Sequence, residues 1–245
     1  MEHILFIAFG WFMGGFVNGL AGFGAAMVAM PIISYVMDVS LLVPAATMIV
    51  LTLNCHAGWV YRKHILWRYT TPLLIGAVPG VVLSAYALQF VPEQQLRLGM
   101  GAFVAGYALW NLLGTSTDDR VVQPAWGYLA GMLSSSLGMA FSFNGPPLAV
   151  YTAYCGCPKN AVKAVISAGF IITGVLIVST QIALGNITPY ALTVYAASVP
   201  AVVIGSKLGI ALSVHISETS YRKFFFVLLA ILGTKIASAA LHSLL

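Results

Sequence analysis

The sequence is poor in charged residues. Only 7% of its 245 residues are charged, whereas 60% are hydrophobic, and the mean hydropathy is +0.95. Soluble domains carry about 25% charged residues, so a water-soluble protein is excluded. A membrane helix needs about 20 apolar residues, which leaves room for roughly eight to ten membrane elements and none for a soluble domain. The composition therefore predicts an all-α, polytopic membrane protein in a lipid bilayer.

Acidic residues are especially scarce. All six lie at predicted span ends or in loops, and none lies deep in a predicted span. Proton relays and many cation sites depend on embedded carboxylates. Their absence argues against a cation or metal carrier and suits an anionic substrate, which a carboxylate would repel. We attribute the net charge of +5 to loops facing the cytoplasm, and expect no nucleic-acid partner.

Cysteine is also rare. Cys55, Cys155 and Cys157 lie in or beside apolar runs, and an odd number of cysteines cannot all pair within one chain. We interpret them as reduced structural thiols and expect neither a metal site nor a cofactor. The start of the chain, "MEHILFIAFGWF", has an acidic residue and no small-residue cleavage site, so we expect it to be a retained segment.

An internal duplication is visible. The segment "GGFVNGLAGFGAAMVAMPIISY" aligns with "AGMLSSSLGMAFSFNGPPLAVY" at a constant offset that pairs Gly15 with Gly131. Further along the chain, "PEQQLR" aligns with "SETSYR". We therefore predict two transmembrane repeats, residues 1–115 and 116–245.

Each repeat contains four membrane elements: a long interrupted stretch and three ordinary spans. The predicted ranges are 3–37, 43–60, 70–90 and 94–113 in the first repeat, and 122–155, 161–184, 189–213 and 219–242 in the second. The opening stretches, of 35 and 34 residues, are too long for one upright helix. We expect each to be an interrupted helical hairpin whose arms are a little short of a full crossing.

The basic residues favour one topology. If each opening stretch crosses once, the eleven Lys and Arg residues divide nearly evenly between the two sides. If each stretch enters and leaves on one side, nine lie on one face and two, Arg97 and Lys235, on the other. The second distribution obeys the positive-inside rule. In this topology each repeat crosses the membrane an odd number of times. The two repeats are then related by inversion about a pseudo-two-fold axis, as in many secondary transporters.

The hairpin tips, "NGLAGFG" and "SSSLGMAFSFNG", are candidate substrate sites. Irregular backbone at membrane depth is tolerated only where protein covers it or it lines a wet cavity. An inverted repeat would bring both tips to the axis, and the helix that follows each tip would present backbone N–H groups to an anion. Asn144 is expected to cap such a helix, with prolines in its first turn. The predicted substrate-binding residues are Asn18, Gly22, Phe23, Gly24, Ala25, Ser136, Gly138, Ser142, Asn144 and Gly145.

Several alternatives remain open at this point. Small residues also allow membrane helices to pack closely, so any single glycine can be explained by packing. His56 is a candidate for proton coupling or for a hydrogen bond to a neighbouring helix, and Lys207 for attracting the anion or for snorkelling to the interface. An intramembrane serine hydrolase that uses one of Ser134–Ser136 with His56 is the rival function, although no compact nucleophile motif is present.

The glycine-rich hairpin that closes on proline, "GLAGFGAAMVAMP", recurs as "SSLGMAFSFNGPP". With the four-element repeat and the small size of the chain, it resembles the TauE/SafE family of sulfite and organosulfonate exporters. The resemblance implies a transporter rather than an enzyme. It would move sulfite, thiosulfate or C2 sulfonates, usually outward, across a bacterial cytoplasmic (inner) membrane by alternating access, with the anion held between the two tips. Coupling to the membrane potential or to a proton through His56, and a monomer or a homodimer, remain open.

Overall fold

The computed structural model describes residues 2–21, 24–114, 123–213 and 218–244, and the regular structure there is entirely helical. Ten α-helices occur in these residues. They are α1 (Glu2–Ala21), α2 (Ala25–Ile33), α3 (Val39–Tyr61), α4 (Trp67–Ala87), α5 (Glu93–Leu113), α6 (Trp126–Phe141), α7 (Gly145–Ala153), α8 (Lys159–Ala183), α9 (Pro189–Ser213) and α10 (Glu218–Leu244). The predicted all-α class is therefore confirmed.

Six helices in the described part of the chain are long and apolar enough to cross a membrane. They are α1, α4, α5, α8, α9 and α10. The apolar part described for α3, Val39–Cys55, is slightly shorter. The protein is thus a multi-pass membrane protein, and the six ordinary spans predicted from the sequence correspond to α3, α4, α5, α8, α9 and α10.

Both predicted interrupted stretches contain two helices, but their arms are unequal. The first arm of the first stretch, α1, has 20 residues and is long enough to cross on its own, so the prediction of a short arm was wrong there. The glycines of α1 do not end the helix. They allow it to pack against the backbone of other helices, since a Cβ on Gly15 would overlap the Val202 carbonyl group. The second arms, α2 and α7, have nine residues each.

In each stretch the second helix runs back along the first. Along α1, Gly10 lies against Ile33, whereas Gly14, one turn later, lies against Ala25 and Ala29. The residue numbers rise on one helix as they fall on the other, so α1 and α2 are antiparallel. The same order occurs in the second stretch, where Gly127 faces Tyr151 and Gly138 faces Asn144.

The chain forms two compact units, and each combines segments from both halves of the sequence. The first unit contains α1, α2, the start of α3, α5, α9 and α10, and the second contains the rest of α3 with α4, α6, α7 and α8. The predicted division at residue 115 concerns the duplication of the sequence, and it stays a prediction.

Within the first unit, α1 packs against α9 and α5 against α10. Gly15 faces Val202 and Gly19 faces Ser206, so α1 and α9 run parallel. The α5–α10 pair is antiparallel, because Gly101 lies against Ala237 and Gly233 lies against Ala105. These contacts involve backbone atoms, as is typical of close packing between membrane helices.

Within the second unit, α4 packs against α6 in the same manner. Gly76 faces Tyr128 and Gly80 faces Met132, so these two helices also run parallel. In the same unit, Gly174 lies against Leu51 and Gly58 against Ile171. The order of this second pair of contacts makes α3 and α8 antiparallel.

Candidate anion-binding tips of the two hairpins

The first tip joins α1 to α2 in the first unit. Gly24, the residue before α2, has φ of 94°, a left-handed conformation that glycine adopts without strain. Asn18 lies in the last turn of α1 and is partly buried. The predicted site residues Gly22 and Phe23 lie outside the described residues.

The first turn of α2 is buried, and among the described residues its N-cap position provides no side-chain cap. The first residues of the helix, Ala25, Ala26 and Met27, are at most 4% exposed, and Gly24 provides no side-chain cap. First-turn amides have no partner within their own helix, and they carry the positive end of the helix dipole. This arrangement suits an anion that has been stripped of water.

The second tip joins α6 to α7 in the second unit, and it turns at Ser142. Ser142 has φ of 61°, an uncommon conformation for a residue other than glycine. The Phe143 amide donates to the Leu137 carbonyl at 3.2 Å, which closes the end of α6. The Ser142 hydroxyl is buried and lies 3.0 Å from the Thr47 hydroxyl on α3.

Asn144 precedes α7, as predicted, but the prediction that its side chain caps this helix was wrong. Its side-chain amide nitrogen instead donates to the Thr173 hydroxyl of α8 at 2.9 Å. The Ser134 hydroxyl donates to the Asn144 carbonyl at 2.7 Å. A Cβ at Gly138 would lie 2.7 Å from Asn144 Oδ1, so only glycine leaves room for this side chain. Tertiary partners thus hold Asn144.

The start of α7 has fewer amides than the start of α2. Pro146 and Pro147 follow Gly145 in its first turn, and proline has no N–H group. Gly145 itself is partly buried. The two tips therefore differ chemically: the first is rich in first-turn amides, and the second is rich in hydroxyl and amide side chains.

The three adjacent serines of α6 all donate to backbone carbonyl groups. Besides Ser134, the Ser135 hydroxyl donates to the Met132 carbonyl and the Ser136 hydroxyl donates to the Gly80 carbonyl, each at 3.1 Å. Ser136 thereby ties α6 to α4 within the second unit. Each of these three hydroxyl groups thus has a backbone acceptor in the described state.

The two residues predicted to assist coupling or attraction lie elsewhere. His56 belongs to α3, and its side chain lies outside the described part of the structure. Lys207 lies on α9, where its side chain is exposed. No cluster of metal-ligating side chains occurs among the described residues.

Sequence reasoning missed Thr47 and Thr173, which hold the second tip. The signal available was weak: each is a polar residue inside an apolar helix. Their partners are 95 and 29 residues away along the chain, and no local spacing connects them. A threonine in a membrane helix more often bonds to its own helix, as Thr180 does with Leu176.

Neither tip sequence, residues 18–31 or 134–147, contains an ionisable side chain. Long apolar helices joined through two uncharged tips define a multi-pass membrane protein. An anion at either tip would meet neutral donors. The chain belongs to the sulfite exporter TauE/SafE family, whose family model matches residues 6–236. It is therefore a transporter and not an enzyme. No curated protein and no solved structure matches the chain.

Proposed function

We propose that the protein exports a small sulfur oxyanion or sulfonate across the bacterial cytoplasmic membrane by alternating access, with neutral donors at the hairpin tips binding the anion. The observation that carries this proposal is the buried and uncapped first turn of α2. Helix N-termini bind anions through backbone N–H groups and the helix dipole. A site without a fixed positive charge can also release its anion, as a transporter requires.

We assign the two tips complementary roles. The amides of Ala25, Ala26 and Met27 suit the charged oxygens of a sulfite or sulfonate group, because charge-assisted hydrogen bonds are about twice as strong as neutral ones. Ser142 and Asn144 would add side-chain donors. Each tip is tested by its own variant: Asn18→Ala and Asn144→Ala should each raise the apparent KM, and an unchanged KM in either variant would contradict a role for that tip.

Helix directions support an inverted topology. In the predicted duplication, α5 corresponds to α10 and α3 to α8. If each hairpin crossed the membrane once, each repeat would cross an even number of times, and corresponding helices would run in the same direction. Both pairs are antiparallel: Gly101 lies against Ala237 while Gly233 lies against Ala105. An even number of crossings in each hairpin produces this order, and it agrees with the distribution of basic residues.

Cysteine labelling tests this topology. Gln94, at the exposed start of α5, and Lys159, at the start of α8, should lie on opposite sides of the membrane. In a variant without native cysteines, an impermeant maleimide applied to intact cells should label Gln94→Cys but not Lys159→Cys. Labelling of both from the same side would refute the inverted arrangement.

Flux into and out of proteoliposomes tests the transport function. Labelled sulfite, thiosulfate and a C2 sulfonate are offered in turn, with protein-free liposomes and labelled phosphate as controls. Saturable flux of at least one sulfur anion, above that of phosphate, is expected. Absence of saturable flux for all three sulfur anions would overturn the proposed substrate class.

Two variants at Ser142 separate its hydroxyl group from its backbone strain. Ser142→Gly removes the hydroxyl and relieves the left-handed φ, whereas Ser142→Ala removes the hydroxyl and keeps the strain. If the hydroxyl binds the anion, both variants should raise KM to a similar extent, although the glycine variant should be the more stable. If KM instead follows stability, Ser142 has only a structural role.

The membrane potential favours export of an anion. Moving one negative charge outward across 100 mV releases about 2.3 kcal/mol, and no buried carboxylate is needed. In proteoliposomes, an imposed potassium diffusion potential without a pH gradient should therefore drive flux, and His56→Gln should leave it intact. Flux that requires a pH gradient and is lost in His56→Gln would favour proton coupling instead.

A further inference from the structure

Two buried polar groups in the first unit have no hydrogen-bond partner among the described residues. They are Nε1 of Trp11 on α1 and Oγ of Ser198 on α9, and both residues are 0% exposed. Buried polar groups are almost always hydrogen-bonded, and a buried indole N–H usually finds an acceptor. Two exceptions in one helix pair indicate a partner other than the described residues.

The two groups belong to neighbouring turns of the paired helices α1 and α9. The helices are parallel, with Gly15 facing Val202 and Gly19 facing Ser206. Trp11 and Ser198 are each four residues, or about one turn, before the Gly15–Val202 contact. The contact of Gly209 with Gly19 shifts this register by three residues, so Trp11 and Ser198 lie within about one turn of each other along the pair.

Their chemistry selects the kind of partner. An indole N–H can only donate, and a serine hydroxyl donates readily. Neither carries a charge, and no acidic residue lies in the two helices from His3 to Ala21 or from Pro189 to Ser213. Two uncommitted donors suit an oxyanion, whereas a cation would find only one weak acceptor.

A third polar residue connects this pair with the first tip. Asn18 follows Trp11 by seven residues, so it lies on the same face of α1, two turns or about 10 Å further along the axis. Asn18 is in the last turn of α1, next to the tip. One face of α1 thus carries donors from the tip toward the middle of the first unit.

We propose that Trp11 and Ser198 form a second oxyanion station, two turns from the first tip, through which the transported sulfur anion passes. The inference rests on the proposed function, because it concerns the same anion. It extends that function by placing a binding position along the α1–α9 interface, away from both glycine-rich tips.

Two conservative variants test this station in the full-length protein. Trp11→Phe removes the N–H and keeps an aromatic ring, and Ser198→Ala removes only the hydroxyl. Each should raise the KM for labelled sulfite or thiosulfate about tenfold, the typical effect of losing one hydrogen bond to a charged group. Each should also reduce the rise in melting temperature that the anion causes in detergent.

Stability without the anion provides a second, opposite readout for Ser198→Ala. Deleting a donor that lacks a partner removes a desolvation penalty, so Ser198→Ala should melt at the same temperature as the wild type or higher. Trp11→Phe also leaves a cavity and is judged only by KM and by the anion-induced melting shift. Ser34→Ala is the matched control, because the buried Ser34 hydroxyl donates to the Pro31 carbonyl at 2.9 Å. It should melt lower with KM unchanged, and Trp67→Phe, at an exposed tryptophan, should change neither.

Two outcomes would separate failure of the station from failure of the proposed function. The first outcome is normal wild-type flux, with both variants showing the wild-type KM and the wild-type rise in melting temperature on adding the anion. It would overturn the station alone and leave a structural water as the partner of the two donors. Absence of wild-type flux together with absence of any melting shift would overturn both. If the anion raises the melting temperature of the wild type but not that of Trp11→Phe, the station is supported even without measurable flux.

Discussion

The side-chain amide of Asn144 donates to the Thr173 hydroxyl at 2.9 Å, and the same hydroxyl donates to the Gly169 carbonyl at 2.7 Å. Thr173 therefore accepts one hydrogen bond and gives another. Both side chains are buried, at 3% and 1% exposure. The pair fixes the orientation of the Asn144 amide and ties the second tip to α8 within its unit.

The first prediction follows from this chain of bonds. Thr173→Val keeps the shape of the side chain but leaves the buried Asn144 amide without its acceptor, which should destabilise the protein by about 1–3 kcal/mol. Thermal melting in detergent measures this change. Thr180→Val is the matched control on the same helix, because among the described residues that hydroxyl bonds to its own helix, at Leu176. Equal destabilisation by the two variants would contradict a special role for the pair.

The second prediction concerns the start of α3. The amide of Val39 donates to Glu93 Oε1 at 2.6 Å, so a carboxylate from the start of α5 caps α3 from 54 residues away. Arg97 bridges this carboxylate to Asp38 at 3.3 and 2.7 Å. Glu93→Ala should cost about 1–2 kcal/mol, as expected for loss of a helix cap.

Glu93→Gln keeps the acceptor oxygen and loses the charge, so it should lie between the wild type and Glu93→Ala. Melting of the purified protein again measures the effect. The exposed neighbour Gln94 provides the control, since Gln94→Ala should change the melting temperature little. A Glu93→Ala variant that melts like Gln94→Ala would contradict the capping role.

Local features of the sequence predicted the helices well. The ranges 94–113 and 189–213 differ by at most one residue from α5, Glu93–Leu113, and α9, Pro189–Ser213. Hydropathy and the length needed to cross a bilayer are local properties, and they decide where such spans begin and end. Hydropathy and span length did not predict the length of α1. Its glycines disfavour a helix unless another helix packs closely against them, and that packing is not a local property of the sequence.

Tertiary partners explain what the sequence could not predict about the site. The motif "PEQQLR" marked the duplication, yet nothing local indicated that Glu93 caps α3. Asn144 before two prolines is a strong local signal for a helix start, and α7 does begin at Gly145. The direction of its side chain depends on Thr173, which only the folded chain brings near.

The third prediction separates glycines that pack from glycines that do not. A Cβ on Gly15 would overlap the Val202 carbonyl group, which belongs to backbone and cannot rotate away. Gly15→Ala should therefore push α1 and α9 apart and destabilise the protein by about 1–3 kcal/mol.

The matched control is Gly106 on α5, where an added Cβ would meet nothing within 4 Å. Gly106→Ala should leave stability unchanged or increase it by up to about 1 kcal/mol, because alanine favours helix. Gly131→Ala should resemble Gly15→Ala, since Gly131 lies against the Leu73 carbonyl group in the second unit. Equal melting temperatures for all three variants would contradict close glycine packing.

The last prediction concerns the pH dependence of Cys157, in the loop between α7 and α8. Burial, followed by the interaction with Cys155, raises the pKa of the Cys157 thiol from 9.0 to about 12. Only the thiolate reacts with iodoacetamide. In the folded protein the alkylation rate should therefore rise about tenfold per pH unit from 7 to 11 without a plateau, as measured by peptide mass spectrometry in a Cys55→Ser background.

The unfolded protein is the control for this profile, since its thiol titrates near the ordinary value and its rate should level off above pH 9. A raised pKa in the folded state means that folding favours the protonated thiol. This contribution to stability is complete below pH 9 and is lost as the pH rises toward 12. A plateau near pH 9 in the folded protein would show that the Cys157 thiol is exposed to water, against the packing of this loop.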